Sequence, residues 1–507
     1  MKDAELLRSF YSPQLFRAQG HAVIEQLAEY LEKVIPSEGT PALPVLPPRA
    51  ASEVLADWSA PLSGEPILEG EAGEPAGLER LRALVARLLA DSNHLHHPRY
   101  VGHQATPPLP LAALCEMIAA LLNNDMAIFE LGPAATAIER ALLRLLSRKL
   151  GLAASSDGVL TSGGSLGNLT ALLTARQQVA RDGLPLAVLA SEQVHYSVVR
   201  AAHLMGLGAE GIVPVPVDAD HRLRVSALPE ALREAARRGR RPFCVAATAG
   251  TTVTGAFDPL PEIAAFCAQN ALWLHVDAAH GGAAAFSERY RPLLAGIELA
   301  DSVVCDGHKL LLMPAPLTAL LFRDGRHSFT TFKQDAAYLL EKDSSADPWL
   351  DVAARTVECT KQMMGLKMYI CLSCYGPRIF DEHVTRTFDL TRRFAQLLRA
   401  SQDFEVPVMP SANILCFRYR PAGAGDLDAL QESVRRKILA SGEFYLVKAP
   451  IGGETYLRIT VSNPLTTEAD LGALVAAIRK AAAPGASSGS LQQEAGAELL
   501  RAPERRS

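Results

Sequence analysis

Between Leu186 and Phe322 short apolar runs alternate with stretches in which apolar residues recur every three or four positions. The runs Ala187–Ala190, Gly211–Val215, Phe243–Ala247, Trp273–Asp277, Ser302–Cys305 and Thr318–Phe322 read as buried strands, and Val198–Leu207 and Leu228–Arg238 as helices between them. This alternation predicts an α/β fold with a mainly parallel sheet wrapped by helices, whose ligands sit beyond the carboxyl ends of the strands. Thr161, Thr248, Asp277 and Asp306 each follow such a strand end, so the candidate polar groups converge on one rim.

Upstream, Ala4–Val34 carries a helical apolar pattern that stops at Ile35-Pro36, and Pro41–Pro48 is extended. An arm of this kind needs another surface for its apolar face, which points to a dimer partner. Further helices are expected over Leu78–Leu89, Leu109–Asn123 and Pro133–Lys149. Downstream, the polar interval Ser328–Cys359 reads as a mobile loop or lid, and Met364–Tyr375 and Val384–Ala400 as helices. Strands over Asn413–Tyr419, Glu443–Lys448 and Tyr456–Val461, with helices over Leu427–Ala440 and Glu468–Ala481, predict a small α+β unit. The Ala-, Gly-, Ser- and charge-rich tail from Ala483 is expected to be disordered. The resulting division is a helical segment over 1–100, a large α/β domain over 101–375, a small domain over 376–482 and a tail over 483–507.

Composition narrows the function. Over 507 residues, 49% are apolar and 21% charged, and the net charge of −5 gives no footing for nucleic acid. Charges at Asp3, Glu5, Arg8, Arg17, Glu25 and Glu29 break up the first apolar pattern, so neither a signal peptide nor a membrane helix is expected there, and a cytoplasmic setting is. The eight cysteines show no disulfide-framework spacing. Cys371 and Cys374 form a CxxC in an apolar helical run without a second pair, and His94, His96 and His97 lack carboxylate or thiol companions, so no metal is expected at either place.

The chemistry concentrates in Asp301–Lys309, where His308 and Lys309 follow an apolar strand. An amine there with a lowered pKa would act as a carbonyl-trapping nucleophile. Upstream, Trp273–Gly282 delivers Asp277 at a strand end and then turns on paired glycines. Together they suggest pyridoxal 5'-phosphate, held by Lys309 as a Schiff base with Asp277 on the pyridinium nitrogen. Gly158–Asn168 runs from a strand through a glycine turn into a helix, a phosphate cradle that lacks both the Gly-Lys-Ser/Thr of a nucleotide loop and the spacing of a dinucleotide fold. In the turn-rich loop Val101–Pro108, His103 and Gln104 are candidates to face a ligand, and the same loop equally reads as a cap.

Thr161–Ser165, Ser191–Ser197, Ala247–Thr252, His275–Ala279, Asp306–Lys309 and Leu457–Pro464 together resemble, in sequence and in order, the group II pyridoxal phosphate-dependent amino acid decarboxylases. The resemblance implies a fold-type I architecture, similar to aspartate aminotransferase, and a homodimer with shared active sites. It implies that Lys309 holds the cofactor, Asp277 pairs with its ring nitrogen and His195 stacks on the ring. Gly163, Gly164 and Ser165, with Asp306 and His308, would hold the phosphate, Thr248 and Ala279 would lie against the ring, and Arg458 would bind the substrate carboxylate. The expected reaction is decarboxylation of an amino acid to an amine.

One departure bears on the outcome. Most members carry a Tyr on the mobile loop that protonates the carbanion, and here that position falls on Leu350 or Val352, with Trp349 and Tyr338 the nearest aromatics. Relatives with an apolar residue there let oxygen intercept the carbanion and yield an aldehyde, so that product stands as the alternative. Transamination or lyase chemistry on the same cofactor, and a non-enzymatic scaffold, are the more distant readings. The stretch Phe129–Pro133 resembles the glutamate and cysteine sulfinate branch and points to a small acidic or polar substrate.

Overall fold

The computed structural model describes residues 8, 10–35, 41–59, 75–179, 184–333 and 350–483. Its contacts divide the chain into two compact units, one built from the chain up to Val101 with Ala424–Lys448 and the segment from Leu465 onward, the other from Gly102–Gly423 with Ala449–Pro464.

The first unit is helical. Helix α1 (Pro13–Val34) begins where the Ser12 side chain accepts from the Leu15 amide, and is followed by α2 (Ala51–Trp58) and α3 (Pro75–Ala90). Helix α1 lies against α3, with Gln26 donating to the Arg82 carbonyl at 2.9 Å. His94 and His97 are buried here, His94 tilted against the Tyr30 ring and His97 accepting from the Arg99 amide. No group of three or more His, Cys, Asp or Glu among the described residues is placed to hold a metal ion.

The second unit is organised by its sheet. Helices α4 (Pro110–Leu122) and α5 (Pro133–Leu150) precede β1 (Asp157–Thr161), and α6 (Gly164–Val179) follows it. Then come β2 (Leu186–Ser191), α7 (Tyr196–Leu204), β3 (Ile212–Val215), α8 (Leu228–Arg237), β4 (Arg241–Thr248), α9 (Leu260–Gln269), β5 (Trp273–Asp277), β6 (Ser302–Asp306) and β7 (Thr318–Phe322). The spatial order is β1-β7-β6-β5-β4-β2-β3. Pairing is parallel from β3 through β6, while β7 runs antiparallel to both neighbours, between β6 and β1. Every residue of β5, β6 and β7 is buried, which is why their sequences read as continuous apolar runs without alternation.

Beyond the sheet lie α10 (Arg326–Phe332), α11 (Leu366–Tyr375) and α12 (Arg378–Ala400). Helix α12 starts six residues before the expected Val384, directly after Pro377, whose fixed φ suits a helix start. Strands β8 (Phe404–Glu405) and β9 (Ile414–Tyr419) precede α13 (Leu427–Ser441), and β10 (Val447–Ile451) and β11 (Glu454–Thr460) precede α14 (Glu468–Ala482). Strand β9 is antiparallel to both β8 and β11. The strand expected at Glu443–Lys448 is displaced to β10, because the turn that reverses the chain into β11 is Gly452-Gly453, with both residues at positive φ. No helix among the described residues is long and apolar enough to cross a membrane.

The interval Ser328–Cys359 divides differently from a single loop. Its centre, with Tyr338 and Trp349, and the tail beyond residue 483 lie outside the described residues. Its start is part of α10, and residues 350–361 are anchored. Ala353 donates to the Ala127 carbonyl, Asp351 accepts from the Phe129 amide, and Arg355 reaches Asp157 at 3.1 Å. At the end of the segment Lys361 Nζ meets Glu139 Oε1 at 2.5 Å, with both side chains almost wholly buried, and the same oxygen accepts from the Leu160 amide of β1. Removing one partner of such a pair strands the other charge in a low dielectric. Lys361→Met should therefore lower the unfolding free energy by about 3–5 kcal/mol, read from the denaturant midpoint of the purified chain.

Candidate active site

Three parallel strands end side by side. Thr248 is paired in register with Asp277, and Asp306 closes β6 next to them and opposite Thr318 of β7. The turn Thr161–Gly163 brings the start of α6 to the same rim. There a cavity of about 270 Å³ is lined by Gln104, Gly163, Gly164, Ser165, His195, Thr248, Asp277, Ala279, Asp306, His308 and Lys309, all anticipated from sequence. His103 is exposed and does not line it; Arg458 also lies outside the lining, buried, with Nε donating to the Val253 carbonyl at 3.3 Å. A more open cavity of about 570 Å³ near the start of β1 is lined by Arg140, Arg144, Arg148 and Asp324 and holds none of the candidate residues.

Lys309 Nζ lies 3.1 Å from Asp306 Oδ2, whose other oxygen accepts from Thr318 Oγ1 at 2.6 Å. His308 Nε2 is 3.5 Å from the same carboxylate, and its Nδ1 faces the Leu317 carbonyl at 2.9 Å. The expected lowering of the lysine pKa is not met. Burial does pull it down, but the carboxylates of Asp306 and Asp277 outweigh burial and hold the ammonium above its ordinary value.

Opposite Lys309, Asp277 accepts from Asn168 Nδ2 at 2.9 Å and from the Ala279 amide at 3.1 Å. Asn168 also donates to Ser197 Oγ at 2.8 Å, which in turn contacts His195 Nδ1 at 2.7 Å. His195 sits at the N-cap of α7, and burial, more than any neighbour, holds it below its ordinary pKa. His280 contacts Asn413 Oδ1 through Nε2 at 2.7 Å, while Asn413 Nδ2 donates to the Val461 carbonyl. The amide orientation puts the proton of His280 on Nε2, and burial pushes its pKa to about 3, so Nδ1 is a bare acceptor at the cavity.

Asn168, Ser197, Gly250, Thr252 and His280 complete the lining and were not assigned from sequence. Asn168 and Ser197 end two of the motif stretches, and His280 follows Asp277 by three residues, so proximity to a motif was the available signal.

A family model for the pyridoxal-dependent decarboxylase conserved domain matches residues 86–420. The chain belongs to the group II pyridoxal phosphate-dependent amino acid decarboxylases. It is 32% identical to an L-aspartate decarboxylase of Metarhizium robertsii over 72% of this chain and 75% of that one. It is 30% identical to the cysteine sulfinic acid decarboxylase of Mus musculus over 84% and 91%. The crystal structure of the mouse enzyme, abbreviated CSAD, superposes with a TM-score of 0.83 at 27% identity, covering 93% of this chain and 99% of that one. The fold is fold-type I, the cofactor is pyridoxal phosphate and the reaction class is amino acid decarboxylation.

The enzyme's cavity fits that cofactor on its own terms. Thr248 Oγ1, Gln104 Nε2 and His280 Nδ1 are buried at the cavity without hydrogen-bond partners among the described residues. A Cβ on Gly164 would crowd Asp306 Oδ1 at 3.3 Å, and the glycine at the first turn of α6 leaves its backbone amides free of a side chain at the cavity, as an anion there would need. An anion at Asp277, an amine at Lys309 and a ring at His195 surround the remaining space. Lys309→Ala, purified and reconstituted with pyridoxal phosphate, should lack the visible absorption of the parent enzyme; retention of that band would show that another group holds the cofactor.

Proposed function

We propose that the enzyme removes the α-carboxylate of a small acidic or polar L-amino acid and releases the amine. The observation that carries the reading is the convergence of Lys309, Asp277 and His195 on one cavity with the glycine cradle of α6. The substrate class is supported by the stretch Phe129–Pro133 and by relatives that act on L-aspartate and cysteine sulfinic acid.

In this reading Lys309 would hold the cofactor, Asp277 would pair with its ring nitrogen, and His195, Thr248 and Ala279 would pack against its ring. Gly163, Gly164 and Ser165 would hold the phosphate with His308. When bound, pyridoxal phosphate supplies the sink for the electrons left as carbon dioxide departs. The residues do the rest. Asp306 carries the same charge as a phosphate, and its oxygens are already engaged by Thr318 and Lys309, so its part is to orient the lysine and share the proton at Nζ. Asp277, with its negative charge, favours a proton on the ring nitrogen. Arg458 awaits the substrate carboxylate: its Nη2 is buried without a partner among the described residues. Gln104, in the cavity lining, completes the substrate side. Residues 101–375 carry the cofactor site, and 376–482 contribute Arg458.

A second reading rests on residues 350–352. Leu350 is half-buried and Val352 buried, and neither side chain carries a proton it could give to the substrate. Oxygen and water would then convert substrate to aldehyde, carbon dioxide, ammonia and hydrogen peroxide. A homodimer sharing its active sites accompanies both readings, supported by Leu114, Met117, Ile118, Leu121 and Leu122 exposed along one face of α4. A cytoplasmic setting accords with eight free cysteines.

Incubating the purified enzyme with the common amino acids and their sulfinate and diamino analogues should give carbon dioxide and an equal amount of amine with an acidic or polar substrate; aldehyde and peroxide as the main products would establish the second reading instead. Arg458→Lys should raise KM about tenfold or more, the cost of losing a charge-assisted hydrogen bond. Sedimentation velocity should find a dimer, and Leu121→Glu should shift it toward the monomer.

A further inference from the structure

Behind the cavity a continuous line of buried hydrogen bonds runs from one side of β5 to α7. Trp273 Nε1 donates to Ser302 Oγ at 2.9 Å, Ser302 Oγ meets His275 Nδ1 at 2.9 Å, and His275 Nε2 meets Asn168 Oδ1 at 2.9 Å. The amide nitrogen of Asn168 then serves both Asp277 and Ser197, and Ser197 reaches His195. Asn168, Ser197, His275 and Ser302 are each no more than 1% exposed, so no water substitutes for a misdirected partner.

The direction of every bond follows from one charge. A carboxylate only accepts, so Asn168 must turn its NH₂ toward Asp277, and its carbonyl oxygen therefore faces His275. His275 accordingly carries its proton on Nε2, and its Nδ1 accepts from the Ser302 hydroxyl; burial, pushing its pKa to about 4, keeps the ring neutral. On the other branch Ser197 Oγ receives the second amide hydrogen of Asn168, so its own hydrogen goes to His195 Nδ1. The Ser197 backbone amide points at the same nitrogen from 3.4 Å. His195 Nδ1 is thus an acceptor twice over, and the neutral ring keeps its hydrogen on Nε2.

We propose that Asn168 is a positioning residue that transmits the negative charge of Asp277 through Ser197 to His195, fixing His195 as the Nε2–H tautomer. The two groups that would hold the cofactor by its ring nitrogen and by its face are thereby set as one unit. The proposal rests on the cofactor reading for its consequence, but its geometry belongs to the chain alone. His195 is also faced by Lys309, Asp306 and Arg200, whose charges act on its protonation but make no bond to Nδ1. The opposing signs of Asp306 against Lys309 and Arg200 leave the hydrogen-bond chain to choose the tautomer.

The test uses full-length protein labelled with ¹⁵N-histidine, without cofactor for the spectrum and with it for kinetics, His195 being assigned by the resonance lost in His195→Gln. The parent should show an unprotonated Nδ1 and a protonated Nε2. In Asn168→Asp, whether or not the new carboxyl shares a proton with Asp277, no donor remains for Ser197. His195 should move to the Nδ1–H or charged form, and the acid limb of kcat/KM should rise by about one pH unit. Ser197→Ala, a smaller change, should give mixed tautomers while Asn168 still holds Asp277, and it decides the matter if Asn168→Asp does not fold. A parent ring protonated on Nδ1, or the parent tautomer and acid limb retained in the variants, overturns the proposal. Because the tautomer is read without cofactor, failure of the decarboxylase reading would show separately, as absence of carbon dioxide release by the parent.

Discussion

The constraint on which the site depends is the cost of charge at the end of a sheet buried on both faces. Asp277 and Asp306 terminate strands whose every residue is buried, and neither is more than 5% exposed. A carboxylate in that position must be met by fixed donors, because water cannot reorganise around it. Asn168 and the Ala279 amide meet Asp277, and Thr318 and Lys309 meet Asp306. The parallel pairing of β4, β5 and β6 places these groups together, and α6 enters from β1 to bring both its backbone amides and Asn168 to the same place. One helix thus supplies both the backbone amides at its start and the Asn168 side chain that meets Asp277.

Much of this was legible in the chain. The apolar runs gave the strands within a residue or two because strands covered on both sides need nothing but apolar side chains, and the polar residues that interrupt them stand where a strand stops. Lys309, Asp277 and the glycine turn could be read because few chemistries need those residue types at strand ends. The antiparallel insertion of β7 was not legible, since an apolar run carries no direction. Nor was the raised Lys309: its ordinary value is displaced by two carboxylates, one three residues away and the other on a neighbouring strand. Asn168 and Ser197 went unassigned because a small polar residue inside a helix reads as solvent-facing or capping until packing shows that it is buried.

The interval after β7 shows the same limit from another side. Its polar composition suggests one loop, yet residues 350–361 are held by Asp125, Glu139 and Asp157, acceptors more than 200 residues away in the case of Asp125 and Glu139. Composition reports how a segment meets water, and it is silent about an ion pair formed across such a separation. The anchoring also fixes where Leu350 and Val352 stand.

The place of β7 has a consequence for how the enzyme matures. Among the described residues β1 pairs only with β7 in the sheet, so Asp157 meets Phe322 only after every other strand of that sheet has been synthesised. The strand that leads into the glycine turn therefore finds its partner by a contact of long sequence separation, a kind that is slow to form. During synthesis a chain that ends before Thr318 already contains Lys309 and Asp277 but has no partner for β1.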